Sequence, residues 1–325
     1  MRSLALLLVL LATTLNAQTY KATGFTQVRV GYAPAAEAGH AYHSGLKRAR
    51  LIGTASFDSG FEVRGQVSGS ASLVRLLDAT VAYRTPALGG KVGVRVGRMF
   101  SAARPAAFNA ATRVDAIDRP SFVGRWAKTG IGGDGRDFGI EATYRSARVE
   151  AALFVHRGYG VWTHRPVSSA AVSGRFDVKP ARGLRAGLFA SYNPTHSPYA
   201  TVDGTARRTL AYAGHVYYGE RPGSQRVRVK LDLLATRYLA EAGASQASLF
   251  GGSVSAAYRF APSLEIVGQT ERTVAFGAPT RAHAAGLTWS LSAMKGEAFH
   301  RRMLSLGYRT VNGTTNLTAQ IQVAF

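Results

Sequence analysis

Asn316-Leu-Thr-Ala-Gln-Ile-Gln-Val-Ala-Phe325 is the stretch on which the reading of the chain turns. Side chains of a strand alternate between its two faces, so Leu317, Ala319, Ile321, Val323 and Phe325 share one side. Thr318, Gln320 and Gln322 share the other. One apolar face, one polar face and a final aromatic suit the closing strand of a barrel with lipid outside and water inside. A soluble edge strand shows the same alternation, so the rest of the chain has to decide.

The same pattern recurs upstream. Val92, Val94 and Val96 oppose Lys91, Gly93 and Arg95, and Val227, Val229, Leu231 and Leu233 oppose Arg226, Arg228, Lys230 and Asp232. A charge at the lipid midplane costs about 2–4 kcal/mol, so the basic faces are expected to point inward. Read this way the chain contains about sixteen short amphipathic strands, near 23–32, 46–57, 61–69, 72–84, 90–99, 136–146, 148–157, 168–178, 182–192, 206–218, 225–238, 247–260, 263–273, 281–292, 298–309 and 316–325. Most have the nine to eleven residues that a tilted strand needs to cross a bilayer. The expectation is an all-β, transmembrane antiparallel barrel.

The connectors sharpen it. Asp58-Ser59-Gly60, Ser146-Ala147 and Ala261-Pro262 are short and rich in turn residues, while the alternate connectors are longer. With both termini on one side, this predicts short periplasmic turns and longer extracellular loops. The longest connector, about 100–135, is the third extracellular loop. It carries Arg104, Arg113, Arg119, Arg125 and Arg136, and its length points to an inward-folded constriction.

Export is expected from Met1-Arg2, the apolar run Leu4 to Leu11 and Ala17 before Gln18, which together resemble a signal peptide over 1–17 with the barrel over 18–325. The terminal Phe325 is similar to the C-terminal signature of barrels inserted into the outer membrane of Gram-negative bacteria. The chain has no cysteine, which excludes disulfides and thiolate metal sites. Forty basic residues, 33 of them arginine, face 18 acids, for a net charge of +22. The bases are dispersed singly through strands rather than in runs, which favours an anion-conducting lumen over nucleic-acid binding.

Arginine stays protonated and its planar fork matches oxyanions, so a spaced series lining a pore attracts anions without trapping them. The candidates are Arg29, Arg48, Arg50, Arg64, Arg95, Arg226, Arg228 and Lys230 on strands, Arg104, Arg113 and Arg119 on the loop, and Asp78 as an inward acid. The competing role for any one of them is pairing with Glu62, Glu141, Glu150, Glu265 or Glu271, or holding lipopolysaccharide phosphates at the rim. Gly130-Ile-Gly-Gly-Asp-Gly135 fits a dinucleotide fingerprint but precedes a strand, so it is read as a loop. His40 with His43, and Asp134 with Asp137, lack a third metal ligand. No metal, cofactor or catalytic motif is expected, and the rival functions are an outer-membrane barrel enzyme of lipase or protease type and a non-conducting structural barrel.

Residues 46–124 resemble the porin O/P family of phosphate-selective porins. The resemblance rests on Leu46-Lys-Arg-Ala-Arg-Leu51, Asp78-Ala-Thr-Val-Ala-Tyr83, Val94-Arg-Val-Gly-Arg-Met-Phe100, Ala107-Phe108-Asn109 and Ile117-Asp-Arg-Pro-Ser121 in that order. It departs from the family where Met99-Phe100-Ser101 stands in place of a Pro-Phe pair. The resemblance implies a sixteen-stranded barrel, usually a homotrimer, passing small anions along inward arginines, with phosphate as one candidate solute.

Overall fold

The structure is a computed structural model that describes residues 19–33, 42–70, 73–108, 119–130, 135–158, 169–202, 205–219, 224–239 and 247–325. Its first eight strands are β1 (Thr19–Tyr32), β2 (Tyr42–Ser56), β3 (Phe61–Gly69), β4 (Val74–Ala87), β5 (Gly90–Phe100), β6 (Arg136–Arg145), β7 (Val149–His156) and β8 (Ala171–Val178). The rest are β9 (Leu184–Val202), β10 (Thr205–Tyr218), β11 (Val227–Leu239), β12 (Ala247–Ala261), β13 (Leu264–Ala275), β14 (Ala278–Ser290), β15 (Arg302–Val311) and β16 (Thr314–Ala324). Each pairs antiparallel with its sequence neighbours, and β1 pairs with β16, so the sheet closes into a sixteen-stranded barrel. Gly24 and Phe325 seal the seam by exchanging both backbone hydrogen bonds at 3.0 Å.

The strand faces sort as the alternation requires. On β16, Ile321 is 55% exposed on the outside while Gln322 is 1% exposed on the inside. Val28 and Val30, Val94 and Val96, and Val227 to Leu233 in alternate steps are likewise outward. Tyr32, Tyr192, Tyr258 and Tyr308 are exposed on the same outer surface, as an interfacial girdle needs. Gln27 donates to Gln322 across the seam at 2.7 Å, so even the closing strands meet through polar inward side chains.

The expected segregation of loop lengths holds only in part. The longest connectors, 101–135 and 157–170, do lie on the predicted side. On that same side, however, β13–β14 and β15–β16 close through only Phe276-Gly277 and Asn312-Gly313. Their φ values are 52° and 80°, and 47° and 84°, the left-handed pairs of a two-residue hairpin turn. Strand pairing therefore continues into residues that were expected to be loop, and the longest of the opposite turns, 291–301, exceeds both.

The third loop folds into the barrel, and its described residues include the helix α1 (Ser121–Gly130). Phe122, Val123, Trp126 and Ala127 fall on one side of it, the spacing of a helix face. They pack with Phe108 against Phe189, Ala211 and Leu234 on the inner wall of β9 to β11. Trp126 meets Phe189 edge to face at 5.2 Å and 86°. On β12, a Cβ at Gly251 would stand 2.3 Å from Phe122 Cγ, so the helix seats only where that wall has no side chain.

Candidate anion eyelet

The inward positions of β1 to β4 build the site. Arg29 donates to Gln320 Oε1 at 2.9 Å through Nη2, held by the Arg29–Gln320 register pair. Arg48 stands opposite the inward Gln27, and Arg50 opposite the inward Phe25, whose ring lies 5.5 Å below the guanidinium. Arg48 and Arg50, two residues apart in regular register, share the lumen face, and a bulge beyond them skips Lys47 between the Gln27–Arg48 and Val28–Leu46 pairs. Arg64 on β3 donates to Gln66 at 3.3 Å and stands 4.0 Å from Asp78.

Asp78 is buried and accepts from Arg136 Nε at 2.7 Å. The charges that act on Arg50 are those of Arg48, Arg119 and Arg136, with Asp78 as the acid among them. Arg119 arrives from the loop, stacked 4.6 Å over Phe108. Thus Arg48, Arg50, Arg64, Arg119 and Arg136 share one region of the lumen with the carboxylate of Asp78, and Arg29 stands inward on the neighbouring strand. Aromatic rings beneath Arg50 and Arg119 cover one face of each guanidinium.

Of the other sequence candidates, Arg104 feels the charge of Arg119 and shares the Phe100 ring with Arg136, while the other described ones are held by other partners. Arg95 pairs with Glu141 at 2.5 Å and donates to the Phe100 carbonyl. Glu141 also accepts from Ser101 Oγ and the Ala102 N–H, so the pair pins the root of the loop. Arg104 lies 3.8 Å over Phe100 and donates to the carbonyls of Phe108 and Ser101. Burial, and then the neighbouring Arg175, push its pKa well below the usual value; a guanidinium stays protonated regardless, so the shift registers strain on a buried cation.

Arg228 is 1% exposed and paired with Glu265 through Nη2 at 2.5 Å and Nε at 3.2 Å. Lys230 stands 5.4 Å over Tyr217, whose hydroxyl bonds Asp232. Arg226 departs from its expected inward position: it precedes β11 and bonds the outward Tyr258 hydroxyl at 2.9 Å, at the rim. Arg113, His40 and Asp134 lie outside the described residues. The expected ladder is instead a cluster on one side of the barrel, with charge matched locally elsewhere.

Sequence reasoning missed two arrangements. Arg136 was counted among the loop bases and not with Asp78, although an inward acid next to a loop full of arginines was a usable signal. The second is a buried chain across β6 to β9: Asp137 Oδ2 to His156 Nδ1 at 2.9 Å, His156 Nε2 to Ser173 Oγ at 2.9 Å, and Ser173 to Ser191 at 2.9 Å. These are the residue types of a hydrolase triad, brought together where spacing in the chain showed none. Ser173 and His156 are each 2% exposed and Asp137 0%, so no substrate reaches the hydroxyl, and Ser191 shares it. The chain is a cross-strand tie.

No protein-family model matches this chain, and no curated protein does. Solved structures do. The anion-selective porin from Comamonas acidovorans superposes with a TM-score of 0.69 at 16% identity, over 94% of this chain and 99% of that one. OmpF of Salmonella typhi, in complex with daunomycin, gives 0.66 at 13%, over 95% and 98%. OmpT of Vibrio cholerae in its trimer form, an outer membrane protein, gives 0.64 at 9%, over 94% and 99%. At these identities the likeness is one of fold: the chain has the sixteen-stranded barrel of bacterial outer-membrane porins.

Proposed function

We propose that the protein is an outer-membrane diffusion channel that passes small anions in preference to cations. The observation that carries this reading is the convergence of Arg48, Arg50, Arg64, Arg119 and Arg136 around the carboxylate of Asp78 in the lumen. In a narrow lumen with low-dielectric walls that field excludes cations and concentrates anions. Phosphate as the preferred solute, kinship with the phosphate-selective porins, assembly as a homotrimer and contact with lipopolysaccharide at the rim belong to the same proposal. Support for assembly comes from OmpT of Vibrio cholerae, whose structure is of a trimer form.

The test is a reversal potential across a KCl gradient in a planar bilayer, repeated with phosphate. Wild type is expected to prefer anions, and Arg48→Gln with Arg50→Gln to lower the anion-to-cation permeability ratio several-fold. A cation-selective or non-conducting wild type overturns the reading.

A further inference from the structure

Two arginines face each other on the outer wall. Arg272 on β13 and Arg281 on β14 are register partners, both exposed and both on the outward side of their strands. Like charges set directly opposite one another destabilise a strand pair. Among the described residues, neither guanidinium has a hydrogen bond or ion pair to offset this. With Pro279, His283, Thr310 and the hairpin at 312–313 they line a pocket of about 440 Å3. The Thr270 hydroxyl meets the His283 ring at Nδ1, 3.1 Å away, and Nε2 has no partner among the described residues.

Register places this pocket at the level of lipid headgroups. The next outward positions on β14 and β15 are Ala285 and Tyr308, a residue of the aromatic girdle, and the ones beyond are Leu287 and Leu306. With Ile266 and Leu317 these four line an apolar groove of about 560 Å3 that adjoins the pocket on its membrane side. A basic pocket above a greasy groove has the polarity of a lipid: an anionic headgroup over an acyl chain. A second copy of the chain fits less well. Every acid described on a strand stands on the inward side, so the described outer wall of a neighbour offers these arginines no carboxylate.

The same strands hold the third loop from their other face. Glu271, next to Arg272, points inward, accepts the Ser121 N–H at 2.8 Å and pairs with Arg309, whose neighbour Thr310 lines the pocket. Repulsion between Arg272 and Arg281 therefore acts on the strand pair that positions this carboxylate, and an anion gripped by both forks removes it.

We propose that the pocket binds the phosphomonoester headgroup of an outer-leaflet lipid, with an acyl chain in the groove, and that the bound phosphate steadies the constriction loop from behind. The inference rests on the outer-membrane reading above and gives the lipid contact a place and a regulatory role.

The experiment is amide exchange of the full-length barrel in nanodiscs of phosphatidylcholine, with and without phosphatidic acid, whose headgroup is a phosphomonoester. Phosphatidic acid is expected to stay bound in native mass spectrometry and to slow exchange over 121–130 several-fold. Arg272→Gln with Arg281→Gln should lose both effects, while Arg272→Lys with Arg281→Lys, which keeps the charge without the fork, should keep part of them. Heat-modifiable gel mobility shows that each variant is a folded barrel. No lipid-dependent slowing in wild type, or the same slowing in the Gln variant, overturns the proposal. Slowing by inorganic phosphate in phosphatidylcholine alone assigns the pocket to a free anion and overturns it. Exchange that follows the trimer content of the sample instead of its lipid assigns the face to a second copy and overturns it too. The reversal potential is a separate readout: a cation-selective wild type ends the channel reading and leaves the exchange result standing.

Discussion

Glu271 on β13 accepts the backbone N–H of Ser121 at 2.8 Å, joining the first residue of the lumen helix to a strand 150 residues further along the chain. The same carboxylate pairs with Arg309 on β15, which also donates to the Arg119 carbonyl at 3.3 Å. A carboxylate at a helix N-terminus is stabilised by the helix dipole as well as by the hydrogen bond. One buried acid thus anchors the loop that presents Arg119 to the eyelet.

Replacing that acid should release the loop without opening the barrel. Glu271→Ala leaves Arg309 half-buried without this acid, a loss of about 3–5 kcal/mol for a broken buried pair, at the lower end because Arg309 retains some solvent. The expected result is more frequent single-channel closures and faster amide exchange in 121–130, with gel mobility of the folded barrel retained. Unchanged exchange in that helix would show that the aromatic contacts alone hold it.

Neutralising Arg228 should cost stability and leave selectivity alone. Its guanidinium is engaged by Glu265, and removing it takes the two-point partner from a carboxylate that is 3% exposed, for up to about 3–5 kcal/mol. Thermal unfolding of Arg228→Met should shift down while its reversal potential matches wild type. The Arg48 and Arg50 double variant should do the reverse. A selectivity change in Arg228→Met would place that strand in the conduction path.

Asp78 tempers the eyelet. Asp78→Asn removes the partner of Arg136 and the nearest acid to Arg64. Anion preference should rise, and multivalent anions should block chloride current at lower concentration, because a site without compensation releases its ions slowly. Conductance with and without added sulfate measures this. A fall in anion preference would mean that the pair with Arg136 holds the cluster's geometry.

Glu297, in the turn between β14 and β15, has its pKa held below the usual carboxylate value, first by the hydrogen bond from Arg302 at 2.7 Å. A depressed carboxylate contributes stability that is present above its unfolded pKa and is lost as pH falls through the folded one. Carbon-13 NMR titration should therefore find the Glu297 midpoint below that of other exposed glutamates, and Arg302→Gln should return it toward them. An unshifted midpoint in wild type would show that the Arg302 contact does not persist in solution.

The alternation of Leu317 to Phe325, repeated along the chain between short turns, was enough to point to a sixteen-stranded barrel and to the face that meets lipid, because side-chain direction in a strand is local and has period two. The inward third loop was also legible, from its length; the seat on Phe189, Ala211 and Leu234 was not. The fate of each arginine was not. Arg50 and Arg228 look alike in the chain, both inward and both flanked by apolar residues. Cross-strand register put Phe25 beside one and helped bring Glu265 to the other, and register is set by pairing between strands, not by either strand alone. The same holds for Asp137, His156, Ser173 and Ser191, separated in sequence and joined only by the order of β6 to β9. Local periodicity determined the wall; closure of the barrel decided which charges remain for a solute.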